Sequence, residues 1–350
     1  MKALKKMASN QIFIPLVTLL LLALFNLIAD PSFYRISLGL SSSGHKVLSG
    51  YLITILDSGS ELAILAIGMT LVTAASGGQD ISVGAAIAIS GSVLLRLLCG
   101  PTADSPVYLM PVACAFIIAM MVSMLFGAFN GVLVAIFKIQ PMIATLILYT
   151  AGRSIAAWIN HNQLPVVNEP SFAYFGGFIP GIAVPTPFLI ALICMVLIAL
   201  VLKFTNLGFY TQCVGINETS SRLNGINPVA MKILAYVIMG ICVAVAALIK
   251  VSRISSINYS VIAQNIEMDA ILAVALGGNS LGGGKFNIWG SILGAYVIQF
   301  LTTTLFKFNV PSVALPAYKA IVVILLVVAS APTVRAKFAG LRKMRKTQEA

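Results

Sequence analysis

Along the chain, apolar residues gather in long runs separated by short polar or glycine-rich connections. A bilayer-spanning helix needs about 20 mostly apolar residues. Runs of that kind lie near 11–29, 54–75, 81–99, 108–136, 142–159, 186–204, 229–250, 268–277, 288–306 and 313–332. The pattern predicts an all-α, polytopic integral membrane protein with about ten transmembrane helices. The eighth run is too short to span alone and is expected to begin upstream, near Ile257 to Gln264. The first is not a cleavable signal: its apolar stretch is long, and Ala29-Asp30-Pro31 offers no small-x-small cleavage site.

Composition fixes the solvent. Of 350 residues 59% are hydrophobic and 9% charged, with a mean hydropathy of +1.00. A soluble domain carries roughly 25% charged residues, so this chain lacks the charge to cover a water-facing surface. Ten spans put both termini on one side. Lys2, Lys5 and Lys6 precede the first span, and Arg335, Lys337, Arg342, Lys343, Arg345 and Lys346 follow the last. With both termini cytoplasmic, Lys138, Lys203, Arg222, Lys232 and Lys285 also fall inside, fourteen Lys and Arg against eight, as the positive-inside rule requires. This divides the chain into a cytoplasmic N-terminus (1–10), a transmembrane domain (11–332) and a basic cytoplasmic tail (333–350). The net charge of +12 sits at the ends and in short loops; it reads as orientation and contact with membrane lipid, not as a nucleic-acid surface. The expected location is the bacterial cytoplasmic membrane.

The polar connections are unequal. Between Lys203 and Lys232 lies a long cytoplasmic one, TNLGFYTQCVGINETSSRLNGINPVAM. Within it Asn217 to Leu223 reads as a short helix, with Asn217 as N-cap and Gly225 as a stop, and Pro228 then permits entry to the next span. Glu218 and Arg222 belong to that short helix. Such a segment fits either an ordinary loop helix or a docking element for a cytoplasmic partner. The outside loop 160–185 carries four prolines and is too proline-rich for a helix. Few ionisable residues lie deep in the spans. Arg153 is the clearest, with Glu61, Asp269 and Lys319 nearer span ends, where Glu61 and Asp269 suit the starts of their helices.

Catalytic chemistry is missing. There is no H-E-x-x-H, no G-x-S-x-G, no paired carboxylates and no CxxC. The five cysteines share no short spacing, and His45 and His161 are isolated, so no metal site or disulfide framework is expected. The stretch GGNSLGGGKFN (277–287) contains Gly284-Lys285 but puts Asn279 and Phe286 where a phosphate-binding loop needs glycine and a hydroxyl. Its partner is SGGQDISVGAAIAISG (76–91). Each follows an inward-running span, opens on Gly-Gly and leads into a glycine-spaced return helix. Their separation of about 200 residues predicts a weak internal duplication, both units in the same orientation. Gly77, Gly78, Gln79, Asp80 and Ser82, with Gly277, Gly278 and Asn279, are the candidate translocation-pathway residues. Glycine permits tight turning there, and Asp80 reads as the cap of the returning helix.

At these residues the chain resembles a family. GMTLVTAASGGQDISVGAAIAISG is similar to the GMT-V---GGIDLSVG stretch of sugar permeases in bacterial ABC importers of the ribose/xylose/galactoside class. The likeness continues through ATLILYTAGRSIA (144–156), LGFYTQCVGINETSSRLNGINP (207–228) and EMDAILAVALGGNSLGGGKFNIWGSILGA (267–295), roughly residues 55–330. It implies a membrane subunit that is paired as a homodimer or heterodimer. It also implies cytoplasmic ATP-binding subunits, a periplasmic or lipid-anchored sugar-binding protein, and inward transport of a pentose or hexose by alternating access. ATP and Mg would bind the partner, with no cofactor on this chain and no catalysis by it. The family's G-x-N-x-x-A-x-x-x-G-I coupling segment falls on Gly215, Asn217 and Gly225-Ile226 here, within 206–228. Ser220 stands where the family usually has alanine, and Gln79 where it has an aliphatic residue. The same machinery serving a nucleoside or other small polar solute, a proton-coupled secondary transporter and a channel-like protein are the alternatives.

Overall fold

The computed structural model describes residues 13–40, 46–100, 104–105 and 108–330. His45, the terminal basic clusters and the two terminal segments lie outside the described residues. The described chain is almost wholly helical, and a helix stands within each apolar run. These are α1 (Phe13–Ala29), α2 (Tyr51–Ser76), α3 (Val83–Cys99), α4 (Val112–Ala135), α5 (Pro141–Ile159) and α6 (Thr186–Phe204) in the first half. In the second half follow α7 (Leu207–Ile216), α8 (Glu218–Leu223), α9 (Pro228–Ile254), α10 (Ile266–Leu276), α11 (Ile288–Lys307) and α12 (Leu315–Ser330). Strands β1 (Ser37–Leu40) and β2 (Lys46–Ser49) form a small antiparallel hairpin, and β3 (Asp104–Ser105) pairs in parallel with β4 (Val166–Val167).

Among the described residues six helices are each long and apolar enough to cross a bilayer: α2, α4, α5, α6, α9 and α11. They divide by burial. The apolar windows of α2, α9 and α11 are 72%, 67% and 72% buried, whereas those of α4, α5 and α6 are 17%, 28% and 22% buried. The first three form the centre and the others turn apolar faces outward, as lipid permits. Helix α9 packs along both α2 and α4, α11 packs on α2, and α3 packs on α5. Small residues let backbones approach: a Cβ on Gly240 would come 2.5 Å from the Ser123 carbonyl oxygen, and Gly131 lies against Ile233.

Helix α10 is half-length, at 11 residues, and here the structure departs from the sequence pattern. The segment expected to extend α10 upstream, Ile257 to Gln264, is not helical. Ala263 and Asn265 take φ of +53° and +64°, which stops helix propagation, and α10 starts only at Ile266. The segment is held instead by Arg153 of α5. Its Nη1 donates to the carbonyls of Tyr259 (2.9 Å), Ser260 (3.1 Å) and Ile262 (3.0 Å). The intramembrane arginine therefore supplies donors that a helix would have provided from its own backbone.

Helix α3 is shortened at its opposite end. Gly78 lies against Pro141 and Ala85 against Gly152. Along α5 those levels are about 16 Å apart at 1.5 Å per residue. The chain from Gly78 covers that distance in seven residues, more than helix alone would span. The stretch 78–82 is thus a non-helical run along α5 that follows the left-handed turn at Gly77 and precedes α3. The first turn of α3 meets the first turn of α10 deep in the bundle, where a Cβ on Gly84 would stand 2.7 Å from the Ala263 carbonyl.

Replacing Arg153 by methionine should lower the thermal unfolding midpoint in detergent, because three carbonyls lose a charged donor at about 1.5–3 kcal/mol per bond. Tryptophan fluorescence during a heating ramp measures it, and an unchanged midpoint would show that the segment holds itself.

Candidate functional site

The polar loop after α6 folds as the short helices α7 and α8. Asn217 breaks between them with φ −155° and ψ 105°, and its Oδ1 accepts from Ser220 N at 2.9 Å, the N-cap bond its position predicts. Helix α8 stops at Asn224 and Gly225, the latter at φ +79°. A second cap went unread in the sequence: Asn227 Oδ1 accepts from Val229 N and Ala230 N and starts α9 ahead of Pro228. Glu218 ties the segment to the membrane domain, paired with Lys138 after α4 and with Lys232 of α9. The hydrogen bond from Lys138, then that from Lys232, holds the Glu218 carboxyl at about 2, below its ordinary 4.5. Arg222 is exposed, and so is Leu223, at 83%. Leu223, Phe209 and Ile216 form an outward apolar set beside a groove of about 800 Å³, floored by Tyr210, Ser220 and Ile226. The lone leucine in a polar six-residue helix was the signal for it.

Gly215, the last glycine of α7, presses on the end of α2. A Cβ there would overlap the Ala74 carbonyl oxygen and lie 2.6 Å from Gly284 N, and that same N donates to Ala74 O at 3.0 Å. Gly283 packs on Gly77, with a Cβ at either position 2.9–3.0 Å from the other strand's backbone. Gln79 Nε2 donates to Leu281 O at 3.0 Å. The structure thus brings together three stretches that are far apart in sequence: both glycine loops and the start of the polar segment. Gln79, singled out as a departure from the resembled family, is a tie between the loops. Lys285 is exposed beside them.

The two loops are built differently. In the second, Asn279 is a buried hub: its Nδ2 donates to Ser291 Oγ (2.7 Å), Val274 O and Asn287 O, and its Oδ1 accepts from Asn287 N (2.6 Å). Gly277 lies backbone to backbone against Gly290, which closes a tight α10–α11 hairpin. Gly278, at φ +78°, completes the C-terminal turn of α10. In the first loop Asp80 does not cap α3. Ser82 holds the N-cap position without a side-chain cap bond, and Asp80 Oδ1 accepts from Ser82 N (2.8 Å) and Ser82 Oγ (2.6 Å). Asn130 Nδ2 in turn donates to Ser82 Oγ. Asp80 stands two residues before the N-cap, and its carboxylate braces the turn at Ser82.

At the opposite end of the bundle stands a cluster the sequence pattern did not reveal. Glu61 is not at a helix start. It is the eleventh residue of α2, 2% exposed, with Lys250 Nζ at 2.7 Å and Arg253 Nη1 at 2.5 Å, while Arg253 also reaches Asp57 at 3.1 Å. Asp269 does lie in the first turn of α10 and pairs with Lys319 at 2.7 Å. Lys250 and Arg253 end the 27-residue α9, and their partners lie 189 to 196 residues away, so no local spacing announces them. Among the described residues no group of three or more His, Cys, Asp or Glu side chains could hold a metal ion, and all five cysteines are free thiols.

Comparison with known proteins gives this geometry its context. Residues 51–331 match the family described as branched-chain amino acid transport system / permease component. The chain is 37% identical to a galactofuranose transporter permease protein of Escherichia coli strain K12, over 95% of this chain and 93% of that one. It is 34% identical to a fructose import permease protein of Bifidobacterium longum strain NCC 2705, over 97% and 93%. It is also 37% identical to a ribose import permease protein of Escherichia coli strain K12, over 79% and 84%. No solved structure matches. The coverage is end to end and includes both glycine loops and the polar segment, so the chain belongs to this family of transport-system permease components.

Proposed function

We propose that this chain is the permease subunit of an ABC importer that brings a small neutral sugar into the cell, a pentose or hexose. The observation that carries the reading is the junction of α7 with both glycine loops, where one cytoplasmic element touches the ends of the central helices at once. A push on α7 or α8 is transmitted to Ala74 of α2 and to Gly284 before α11 without any flexible intermediary. Three relatives named for galactofuranose, fructose and ribose support a sugar over the amino acids in the family's description.

The segment 206–228 is then the coupling element. Gly215, Asn217, Glu218, Arg222 and Gly225 shape it, and Leu223 and Arg222 face a cytoplasmic ATP-binding subunit that holds ATP and Mg. A second permease copy or homologue completes the pathway, and a periplasmic or lipid-anchored binding protein delivers the sugar. Both termini are cytoplasmic. Helices α1, α3, α10 and α12 contribute to a ten-segment membrane domain of which α10, at 11 residues, is a half-length member. The residues Gly77 to Ser82 and Gly277 to Asn279 line or brace the moving end of that pathway. Within the charge cluster at the opposite end, Asp57, Glu61 and Asp269 are each matched by Lys250, Arg253 or Lys319, which suits a neutral solute better than an amino acid.

Uptake of radiolabelled ribose or fructose into membrane vesicles should vanish when the ATP-binding subunit is omitted, and uptake that persists without it would sink the ABC reading. Gly215→Val should cut sugar uptake by at least tenfold, since the added side chain must lift α7 from Ala74; unaltered uptake in vesicles would remove the junction from the mechanism. The Glu218 pairs act in one pH window. With the carboxyl held down, they contribute fully above about pH 4.5 and are lost as pH falls toward about 2. Their exposure limits the effect to about 0.2–1 kcal/mol per pair. Hydrogen exchange of α8 amides should rise modestly across that window in the wild type and be flat in Glu218→Gln.

A further inference from the structure

The half-length of α10 leaves a space, and its lining is polar. Where helical turns of α10 would otherwise continue outward from Ile266, there is a cavity of about 400 Å³. It is bordered by Glu61, Lys250, Arg253, Gln264, Asp269 and Gln299, with Phe306 at its edge. That volume lies at the small end of ligand pockets, roughly 300–1,000 Å³. We infer that this cavity is a binding site within the permease itself for one neutral polyhydroxylated molecule, a transit stop for the sugar between the binding protein and the coupling end. The inference rests on the sugar-import reading above and adds where within this chain the sugar is held.

Four observations carry it. The cavity lies at the far end of the bundle from α7 and α8, because it is framed by the N-terminal third of α2 and the C-terminal ends of α9 and α11. Its charges cancel: Lys250 and Arg253 are matched by Glu61 and Asp57, and Asp269 is matched by Lys319. A charged solute would find no unpaired counter-charge, and an apolar one would strip water from ions without replacing it. The third observation is capacity. Glu61 is 2% exposed and its Oε1 is enclosed beside Arg253 Nη1, so the accessible uncharged hydrogen-bonding groups of the lining are the side-chain amides of Gln264 and Gln299. Gln299 has neither side-chain donor nor acceptor engaged among the described residues. The site therefore offers acceptors, cationic donors and an amide of both kinds within one small volume, which is the pattern hydroxyl groups satisfy, each being donor and acceptor at once. Last, the cavity is bordered by Ile266 and Asp269 in the first turn of α10, where a helix start leaves backbone amides without intrahelical acceptors.

The test uses the complete importer in proteoliposomes, with binding protein and ATP-binding subunit, and radiolabelled D-ribose, D-fructose and D-galactose as probes. Gln299→Leu should lower uptake of whichever probe the wild type carries by tenfold or more. ATP hydrolysis stimulated by loaded binding protein should stay within twofold, and Gln299→Asn should recover part of the uptake. Gln264→Leu, an exposed side chain outside any helix, supplies a second variant whose folding is not at stake and should reduce uptake in the same selective way. Uptake unchanged in both leucine variants overturns the cavity while leaving the sugar reading intact. Equal loss of uptake and of stimulated hydrolysis in Gln264→Leu also overturns it, because the residue then serves coupling. A wild-type importer that carries none of the three probes overturns the sugar reading and the cavity's occupant with it.

Discussion

Inside a bilayer a peptide group that leaves a helix must find its hydrogen bonds within the protein, because lipid offers none. This chain leaves its helices in three interior places, and the placement of nearly every polar side chain follows from that. At 255–265 the carbonyls of Tyr259, Ser260 and Ile262 go to Arg153. At 77–82 the amide of Ile81 goes to Thr145 Oγ1 and that of Ser82 to Asp80. At 277–287 Asn279 serves two carbonyls and one amide at once. Each break has its own dedicated side chains: Arg153 and Thr145 come from α5, while Asp80 and Asn279 come from the breaks themselves.

The breaks are arranged with a direction. Helix α3 lacks helical turns at its coupling-segment end and α10 lacks them at the other, so their first turns meet between Gly84 and Ala263 in the interior. Two helix N-termini facing one another would leave unsatisfied amide ends and two positive dipole ends close together. Glu267, 2% exposed in the first turn of α10, places its Oε2 where a Cβ on Gly84 would come 2.5 Å from it. Its carboxyl lies between those ends, with Arg153 next to it. The same arrangement leaves α2, α9 and α11 as the continuous members, reaching from the outer ion cluster to the junction with α7.

Much of this was legible in the sequence, and the limits were physical. Apolar runs located every long helix because burial in lipid leaves composition no freedom. Asn217 and Gly225 announced the short helix α8 because capping is a local interaction over three residues. What stayed hidden depends on distance. Glu61 looks like an ordinary early-helix carboxylate until Lys250 and Arg253 arrive from at least 189 residues away. The glycines of SGGQDISVG promise a turn, which Gly77 makes, and only the stretch of α5 beside them reveals how far the non-helical chain then runs. For Ile257 to Gln264, apolar content argued for helix, while the carbonyl-binding Arg153 lay in a different run.

The coupling end and the outer end are held by different physics, and that difference bears on how the molecule moves. At the junction the contacts are backbone against backbone: Gly215 on Ala74, Gly283 on Gly77, Gly277 on Gly290. Such contacts are short-ranged and stiff, and a displacement of α7 cannot be absorbed by a side chain changing rotamer. At the outer end the contacts are ion pairs of long side chains, Lys250 and Arg253 with Asp57 and Glu61, which can lengthen, exchange partners or admit a solute before they break. A stiff end next to the coupling segment and an adjustable end at the other fit a machine driven from one side and loaded from the other. The glycines that mimic a phosphate loop in GGNSLGGGKFN serve the stiff end: they bring two loops and α7 within backbone contact, which no larger residue would allow.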